Sequence, residues 1–103
     1  MDDFKQLAKI FKKSFPEYKI NIRRTKISRK SFGDCCCLNK AKKHFLIRID
    51  KSGEIQEQIL ILIHEMAHVI AWDDPDDHGK PWGKAYSTVY NIYLDEFVNG
   101  SDQ

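Results

Sequence analysis

The sequence lacks any long hydrophobic run. Its longest unbroken aliphatic segment covers only residues 59–63, whereas a helix that crosses a bilayer needs about 20 apolar residues. The N-terminal segment, Met1 to Phe4, is acidic and lacks the basic and apolar regions of a signal peptide. We therefore expect no membrane association and no secretion, and we predict that the protein acts in the cytoplasm.

Cysteine is scarce as well, and the chain has only Cys35, Cys36 and Cys37, at consecutive positions. Three adjacent cysteines provide no disulfide framework, which favours a reducing compartment. Neighbouring residues of a strand point to opposite faces, so the three thiols are not expected to hold one metal ion together. We interpret them as small buried residues of a strand.

Glycine and proline are also few, with 5 and 3 residues in a chain of 103. The sequence contains no internal repeat, no low-complexity tract and no linker, so we expect one domain over residues 1–103. Hydrophobic residues make up 42% and charged residues 31% of the chain, which is typical of a globular protein. Nothing in the sequence demands a dimer, and we expect a monomer.

The charge is unevenly distributed although the net charge is only +2. Residues 1–53 carry 15 Lys and Arg against 5 Asp and Glu, whereas residues 54–103 carry 2 against 10. The basic half can meet an anionic partner such as DNA, and the acidic half can surround a cation. The alternative is that the two halves attract each other. The residues that DNA would contact are Lys12, Lys13, Arg23, Arg24, Arg29, Lys30, Lys40, Lys42 and Lys43.

Hydrophobic periodicity predicts an N-terminal helix followed by three strands. Apolar residues from Phe4 to Phe15 recur at helical spacing, and Asp2 or Asp3 can cap the start of that helix. Alternating apolar residues then indicate strands near 18–23, 32–38 and 44–49, separated by polar turns at 28–31 and 39–43. Short turns between consecutive strands predict an antiparallel meander.

Two further helices follow the strands. The first is expected from about Glu54 to Trp72 with Ser52 as its cap, and it is apolar on nearly all sides, which predicts a buried central position. The second begins near Pro81 and ends before Gly100. Its predicted inward stripe is Trp82, Tyr86, Val89, Tyr90, Tyr93 and Phe97. The fold class is therefore α+β, with an N-terminal helix, a three-stranded antiparallel sheet, a central helix and a C-terminal helix.

The central helix contains the sequence HEMAH, residues 64–68. Positions four apart lie one turn apart on the same helix face, so His64 and His68 can bind one zinc ion, while Glu65 can reach a water bound there without being a ligand. The alternative is two buried histidines that bond only to neighbouring residues. That alternative is costly, because burying polar groups without strong partners costs on the order of several kcal/mol.

A catalytic zinc ion usually has three protein ligands and one open position. We expect His78, in the loop after the helix, to be the third ligand. Carboxylates also bind zinc, and the rivals are Asp73, Asp74, Asp76 and Asp77. These aspartates can instead accept hydrogen bonds from the imidazoles, or they can form a solvated loop.

The segments HEMAH (64–68) and DHGKPWGKAY (77–86) resemble the motifs of the SprT-like zinc metallopeptidases, which include the Spartan-type proteases that degrade proteins crosslinked to DNA. Arg23-Arg24 and the segment 45–49 are also similar to this family, especially to its compact phage and bacterial members. The resemblance covers roughly residues 18–98. Unlike many members, this chain lacks a C-terminal zinc ribbon with paired Cys-x-x-Cys motifs, which weakens the expectation of DNA recruitment.

The resemblance implies a minimal zincin-like domain and a zinc-dependent metalloendopeptidase. Its metal ligands for Zn²⁺ would be His64, His68 and His78, and Glu65 would be the catalytic base. The substrates would be proteins, including proteins associated with DNA or crosslinked to it, and a phage-encoded enzyme would act in the host cytoplasm. The alternatives are a DNA-binding or protein-binding module with a structural or vestigial zinc site, and a hydrolase of a non-protein amide.

Four further expectations concern the surroundings of the site. Tyr86 or Tyr90 can donate a hydrogen bond to a developing oxyanion, although both also suit the core. Trp82 is expected to pack over the site. The third strand, just before the metal helix, is the expected sheet edge for an added substrate strand. His44 on that strand is expected either at the surface or in contact with a metal ligand, and not among the ligands.

Overall fold

The computed structural model describes residues 2–27 and 31–99, and within them it forms three α-helices and one three-stranded sheet. The α+β class predicted from the sequence is confirmed. The elements in chain order are α1 (Asp3–Ser14), β1 (Lys19–Thr25), β2 (Gly33–Asn39), β3 (His44–Asp50), α2 (Ile55–Ile70), α3 (Lys80–Tyr93) and a π-helical segment (Leu94–Asn99). None of the helices in this described part is long and apolar enough to traverse a bilayer.

Helix α1 begins at a capped end and packs through one face. The Asp2 carboxylate accepts a hydrogen bond from the backbone N–H of Phe4 at 2.9 Å, so Asp2 is the cap. Phe4, Leu7 and Phe11 are buried, as the helical spacing predicts. Asp2 also pairs with Arg24 of β1, whose guanidinium carbon lies 4.6 Å from the centre of the Phe4 ring. This contact ties the start of the helix to the sheet.

The sheet is mixed, with strand order β1-β3-β2. Strands β2 and β3 form an antiparallel hairpin, but β1 runs parallel to β3, with Ile20 opposite Phe45 and Ile22 opposite Ile47. The predicted antiparallel meander is therefore wrong, and β3 is the central strand and not an edge. Period-two alternation predicts which face of the sheet a side chain occupies, but it does not predict which strands are neighbours. The sequence could therefore not distinguish a meander from the observed strand order.

One face of the sheet holds the core against α1 and α2. Phe45, Ile47 and Ile49 of β3 are fully buried on that face, together with Ile20 of β1. Cys35 and Cys37 of β2 are half-buried against the core, whereas Cys36 is exposed, which corrects the expectation of three buried cysteines. The predicted turn at 28–31 falls mostly on residues 28–30, which lie outside the described residues.

Helix α2 is the buried centre of the molecule, as its apolar composition predicts. Its buried residues are Gln58, Ile59, Leu62, Ile63, Glu65, Met66, Ala67 and Val69. The predicted cap at Ser52 is wrong: Glu54 is the N-cap residue, without a side-chain cap hydrogen bond, and the Ser52 hydroxyl donates to Asp50 at 2.7 Å. The Gln58 side chain donates to the carbonyl of Gly53 at 2.8 Å and so ties the start of α2 to the preceding loop.

Strand β2 and helix α2 approach each other closely at Gly33. A Cβ atom at this position would lie 2.5 Å from Cγ2 of Ile61 and 3.0 Å from the carbonyl oxygen of Arg48. Only glycine allows this approach, because any side chain would push the strand away from the helix. The start of β2 is thereby fixed against the middle of α2, next to His64 and Glu65.

Helix α3 has Pro81 in its first turn, as predicted, and packs against α2. Its predicted inward stripe forms a row of aromatic rings. Neighbouring ring centres along Trp82, Tyr86, Tyr90, Tyr93 and Phe97 lie 5.1–5.9 Å apart. The helix passes into the π-helical segment at Leu94, and the predicted end signal, Gly100, lies outside the described residues.

Candidate metal centre

Three imidazole rings converge at the C-terminal half of α2. His64 and His68 lie one turn apart on the same face of that helix, and His78 comes from the loop that leads into α3. The Nε2 atoms are 3.2 Å apart between His64 and His68, 3.0 Å between His68 and His78, and 3.2 Å between His64 and His78. The structure thus brings together the three histidines that the sequence singled out, close enough to bind one metal ion.

The triangle of nitrogen atoms suits a cation better than hydrogen bonds. Each neutral Nε2 either carries a proton or offers a lone pair. Because the three nitrogens have only these two states, at least two of them must be in the same state. Two protons or two lone pairs that face each other across about 3 Å repel. A metal ion removes this conflict because it accepts all three lone pairs. A tetrahedral site with bonds of about 2.0–2.1 Å needs a spacing of about 3.3 Å between ligand atoms, close to the observed edges.

Burial keeps the rings of α2 in the form that binds metals. Burial lowers the pKa of His64, and the neighbouring rings of His68 and His78 lower it further. Burial also lowers the pKa of His68, although the nearby Asp77 carboxylate opposes the shift. Both rings are therefore biased towards the neutral form at neutral pH, and neutral imidazole is the form that ligates metal ions.

Asp74 organises the loop that delivers His78. Its carboxylate accepts backbone hydrogen bonds from Asp76 at 2.9 Å, from Gly79 at 2.9 Å and from Trp82 at 3.1 Å. A Cβ atom at Gly79 would lie only 2.8 Å from this carboxylate, so a side chain at this position would displace the Asp74 carboxylate. Asp74 therefore clamps the chain on both sides of His78, a role that the sequence did not reveal because it depends on how the loop folds back.

The other acidic residues of this loop have different surroundings. The Asp77 carboxylate lies 3.3 Å from Nδ1 of His78 and 3.8 Å from Nδ1 of His68, and its backbone has a positive φ of 64°. Asp73 is exposed and pairs with Lys40 at 3.1 Å. Among the residues that the structure describes, the only group of ligand atoms that converges is the histidine triad, so none of these carboxylates replaces His78.

Trp82 covers the triad, as predicted. The centre of its indole lies 5.0 Å from the ring of His64, 5.7 Å from that of His68 and 4.9 Å from that of His78. Its Nε1 atom is buried and finds no hydrogen-bond acceptor within ranges 2–27 and 31–99. The indole therefore holds the three rings by packing and shields one side of the triad from water.

Glu65 lies beside the triad in a cleft. Its side chain is buried, with the residue only 7% exposed, and in the described part of the chain its carboxylate accepts no hydrogen bond. Burial raises the pKa of Glu65 to about 7, with smaller contributions from Asp34 and Asp77. The cleft has a volume of about 480 Å³ and is lined by Ser31, Phe32, Gly33, Leu60, Ile61, His64, Glu65 and Tyr86.

Three other residues singled out from the sequence lie at different distances from the cleft and the triad. Tyr86 lines the cleft, whereas Tyr90 is stacked behind it with ring centres 5.9 Å apart. His44 contacts Asn21 across the sheet, with 3.2 Å between Nε2 and Nδ2, and is not part of the triad. Of the two candidate oxyanion donors, only Tyr86 therefore borders the space that a substrate would occupy.

Some of the residues expected to contact DNA have partners within the protein. Arg24 pairs with Asp2, Lys40 pairs with Asp73, and Nζ of Lys43 lies 5.5 Å from the centre of the Tyr18 ring. Arg29 and Lys30 lie outside the described residues. Positive charge is exposed on α1, at Lys5, Lys9, Lys12 and Lys13, and also at Arg23 and Lys42.

Replacing Asp74 with alanine should weaken zinc binding by roughly 10–100-fold, because His78 is then no longer held in place; this is the usual effect of losing a group that orients a metal ligand. Competition with a chromophoric chelator measures the affinity. Asp76→Ala is the matched control, since Asp76 contacts Asp74 through its backbone N–H. Equal zinc affinity of the Asp74→Ala variant and the control would show that the clamp does not position His78.

Comparison of the chain with protein-family models, with curated proteins and with solved structures found no match.

Proposed function

We propose that this chain is a zinc-dependent metallopeptidase of the SprT-like type with a zincin-like domain. The observation that carries the proposal is the triangle of Nε2 atoms from His64, His68 and His78, with edges of 3.0–3.2 Å, beside the buried carboxylate of Glu65. Zinc is the preferred ion because three neutral imidazoles with a free fourth position are a common zinc site in hydrolases. When bound, the ion supplies Lewis-acid polarisation of the scissile carbonyl and makes water more acidic.

Glu65 performs the proton transfers in this mechanism. Its carboxylate accepts a proton as water attacks the carbonyl carbon, and it returns that proton to the amine nitrogen as the C–N bond breaks. In the metal-free protein burial raises the pKa of Glu65 to about 7, and a cation held by the triad would lower it, which favours the carboxylate that accepts the proton. The three imidazoles would use their lone pairs to bind the ion, so they would not compete for the proton.

Tyr86 is the candidate for a second oxyanion donor, because it lines the same cleft as Glu65. Replacing Tyr86 with phenylalanine should lower kcat by about 10²-fold while leaving KM and zinc content nearly unchanged, the scale seen when one oxyanion donor is lost. The matched control is Tyr90→Phe, which removes the neighbouring hydroxyl that does not border the cleft. Equal rates for the two variants would assign Tyr86 to packing alone.

The substrate backbone would pair with β2. The earlier expectation of β3 as the receiving edge is excluded, since β3 is paired on both sides. Strand β2 pairs only with β3 within the described residues and begins at Gly33, which lines the cleft. An extended peptide added to the outer edge of β2 would therefore pass beside Glu65.

The proposed substrates of this activity are proteins associated with DNA. The exposed lysines of α1 offer a basic surface that can contact phosphates, and they lie on a different element from the metal centre. The same lysines favour the second candidate, a DNA-binding module whose zinc is structural or vestigial. Both candidates use the same metal ligands, so only catalysis separates them.

The test is a metal analysis of the purified protein combined with cleavage of a DNA-binding protein, with and without single-stranded DNA. We expect one zinc ion per chain and cleavage that is abolished by a chelator and restored by zinc. DNA binding that weakens with salt, with no cleavage by the zinc-loaded protein under any of these conditions, would instead establish the binding module.

A further inference from the structure

The cleft beside Glu65 continues into an apolar groove. Leu60 and Ile61 lie one helical turn before His64 and Glu65 on α2, so they form the floor next to the proposed reacting centre. Phe32, just before β2, forms the opposite wall. It is 70% exposed, and Leu60 is 41% exposed. Two large apolar side chains are thus exposed to solvent, which is unfavourable for the free energy of folding.

The groove extends beyond the cleft along α2. A second hollow of about 250 Å³ is lined by Phe32, Glu57, Leu60 and Ile61, and it shares three of these residues with the cleft. From Glu57 to His64 the helix rises about 10 Å. An extended peptide advances about 3.3 Å per residue, so the groove spans about three residues of a bound chain.

The backbone that carries the groove is fixed by packing. Gly33 is pressed against Ile61, as shown by the 2.5 Å approach that a Cβ atom would make to Cγ2 of Ile61. This contact sets the distance between the start of β2 and the middle of α2. The two backbones that border the groove are therefore held at a fixed distance, and the exposed side chains of Phe32 and Leu60 project from them.

Scattered exposed apolar residues need no explanation, but this group is different. Leu38 is 51% exposed on β2, yet it lines neither hollow. Phe32 and Leu60, in contrast, line the cleft that holds Glu65. Their continuity with the proposed reacting centre indicates that they meet the part of a substrate nearest the bond that is cut.

We propose that Phe32 and Leu60 determine specificity by receiving a bulky apolar side chain, such as leucine, phenylalanine or methionine, from a residue that flanks the scissile peptide bond. This inference rests on the proposed peptidase function and goes beyond it, because it names the substrate side chain. A pocket of this kind favours leucine over alanine through apolar burial, and differences of one to three methylene groups give at least about tenfold discrimination in kcat/KM.

The first experiment is a cleavage-site profile of a random peptide library with the zinc-loaded protein, followed by kinetics on a matched leucine and alanine peptide pair. We expect apolar residues to be enriched on one side of the cut bond. Phe32→Ala and Leu60→Ala should each lower kcat/KM for the leucine peptide about tenfold while changing it less than twofold for the alanine peptide. Ile55→Ala removes a side chain of α2 that is 43% exposed, close to the value for Leu60, and that lines neither hollow, so it should alter neither value.

Cleavage without apolar enrichment, or equal behaviour of Phe32→Ala and Ile55→Ala, would overturn the inference and leave the peptidase function standing. If the protein cleaves no peptide, a separate binding measurement tests the groove. The labelled leucine and alanine peptides are titrated with zinc-loaded Glu65→Gln protein and followed by fluorescence anisotropy. Tighter binding of the leucine peptide that is lost in Phe32→Ala would support the groove even if the peptidase function failed, and equal binding of the two peptides would overturn it.

Discussion

Glu65→Gln protein should bind one zinc ion per chain and hydrolyse peptides at least about 10³-fold more slowly than the wild type, within the range that general base catalysis contributes. The amide has nearly the shape of the carboxylate but cannot accept the proton of the attacking water. The measurement is kcat on the same zinc-loaded protein preparations. Glu17→Gln, at an exposed position in the loop after α1, is the control and should retain full activity.

Loss of zinc from the Glu65→Gln variant would show that the carboxylate is a ligand. Wild-type activity with zinc bound would show that it is not the base. In either case the mechanism proposed here would be wrong, although the histidine triad itself would stand.

The same substitution should stabilise the metal-free protein at alkaline pH. Burial raises the pKa of Glu65 from 4.5 in the unfolded chain to about 7 in the folded one, so ionisation destabilises the folded state. The stability of the wild type should therefore fall as pH rises from 4.5 through 7, and glutamine removes this loss. Urea unfolding should show Glu65→Gln to be more stable by on the order of 3 kcal/mol at pH 8, with no such gain at pH 4. A gain that does not depend on pH would contradict this account.

His78→Ala protein should lose zinc affinity by more than about 100-fold, beyond the effect of removing a group that only orients a ligand. His78 comes from a loop and is half exposed, so the substitution removes a nitrogen of the triangle without opening the core. Zinc affinity measured by chelator competition tests this, with unfolding by urea as the check on folding. His44→Ala, which removes an imidazole of β3, should bind zinc like the wild type.

Unchanged zinc affinity in His78→Ala would mean that an aspartate of the loop completes the site. Asp77 is then the nearest candidate, since its carboxylate lies 3.3 Å from the ring of His78.

Two of the three histidines of the candidate metal centre could be predicted to lie together, because their placement depends only on local geometry. Helical spacing alone places His64 and His68 on one face, and the pattern of apolar residues alone assigns that helix to the core. The core face of β3 followed in the same way, since Phe45, Ile47 and Ile49 are all buried as the alternation requires. These features need only the period of one element. On β2, in contrast, Cys36 and Leu38 are exposed and the core face is formed by Cys35 and Cys37.

Features that depend on contacts between distant segments could not be predicted. The parallel pairing of β1 with β3 leaves every face unchanged, so no periodicity distinguishes it from a meander. Asp74 stood among several acidic residues as a rival ligand, and only the folded loop shows its three backbone hydrogen bonds. Arg24 similarly looked like a free basic residue, but the tertiary fold pairs it with Asp2.

The most direct test of the central claim is X-ray absorption at the zinc edge of the zinc-loaded wild-type protein. Three histidine nitrogens at about 2.0–2.1 Å and one oxygen from solvent are the expected ligands. The same three-histidine signature should persist in Glu65→Gln. A sulfur ligand at about 2.3 Å, fewer than three imidazoles, or a fourth protein ligand in place of solvent would contradict a catalytic site built from His64, His68 and His78.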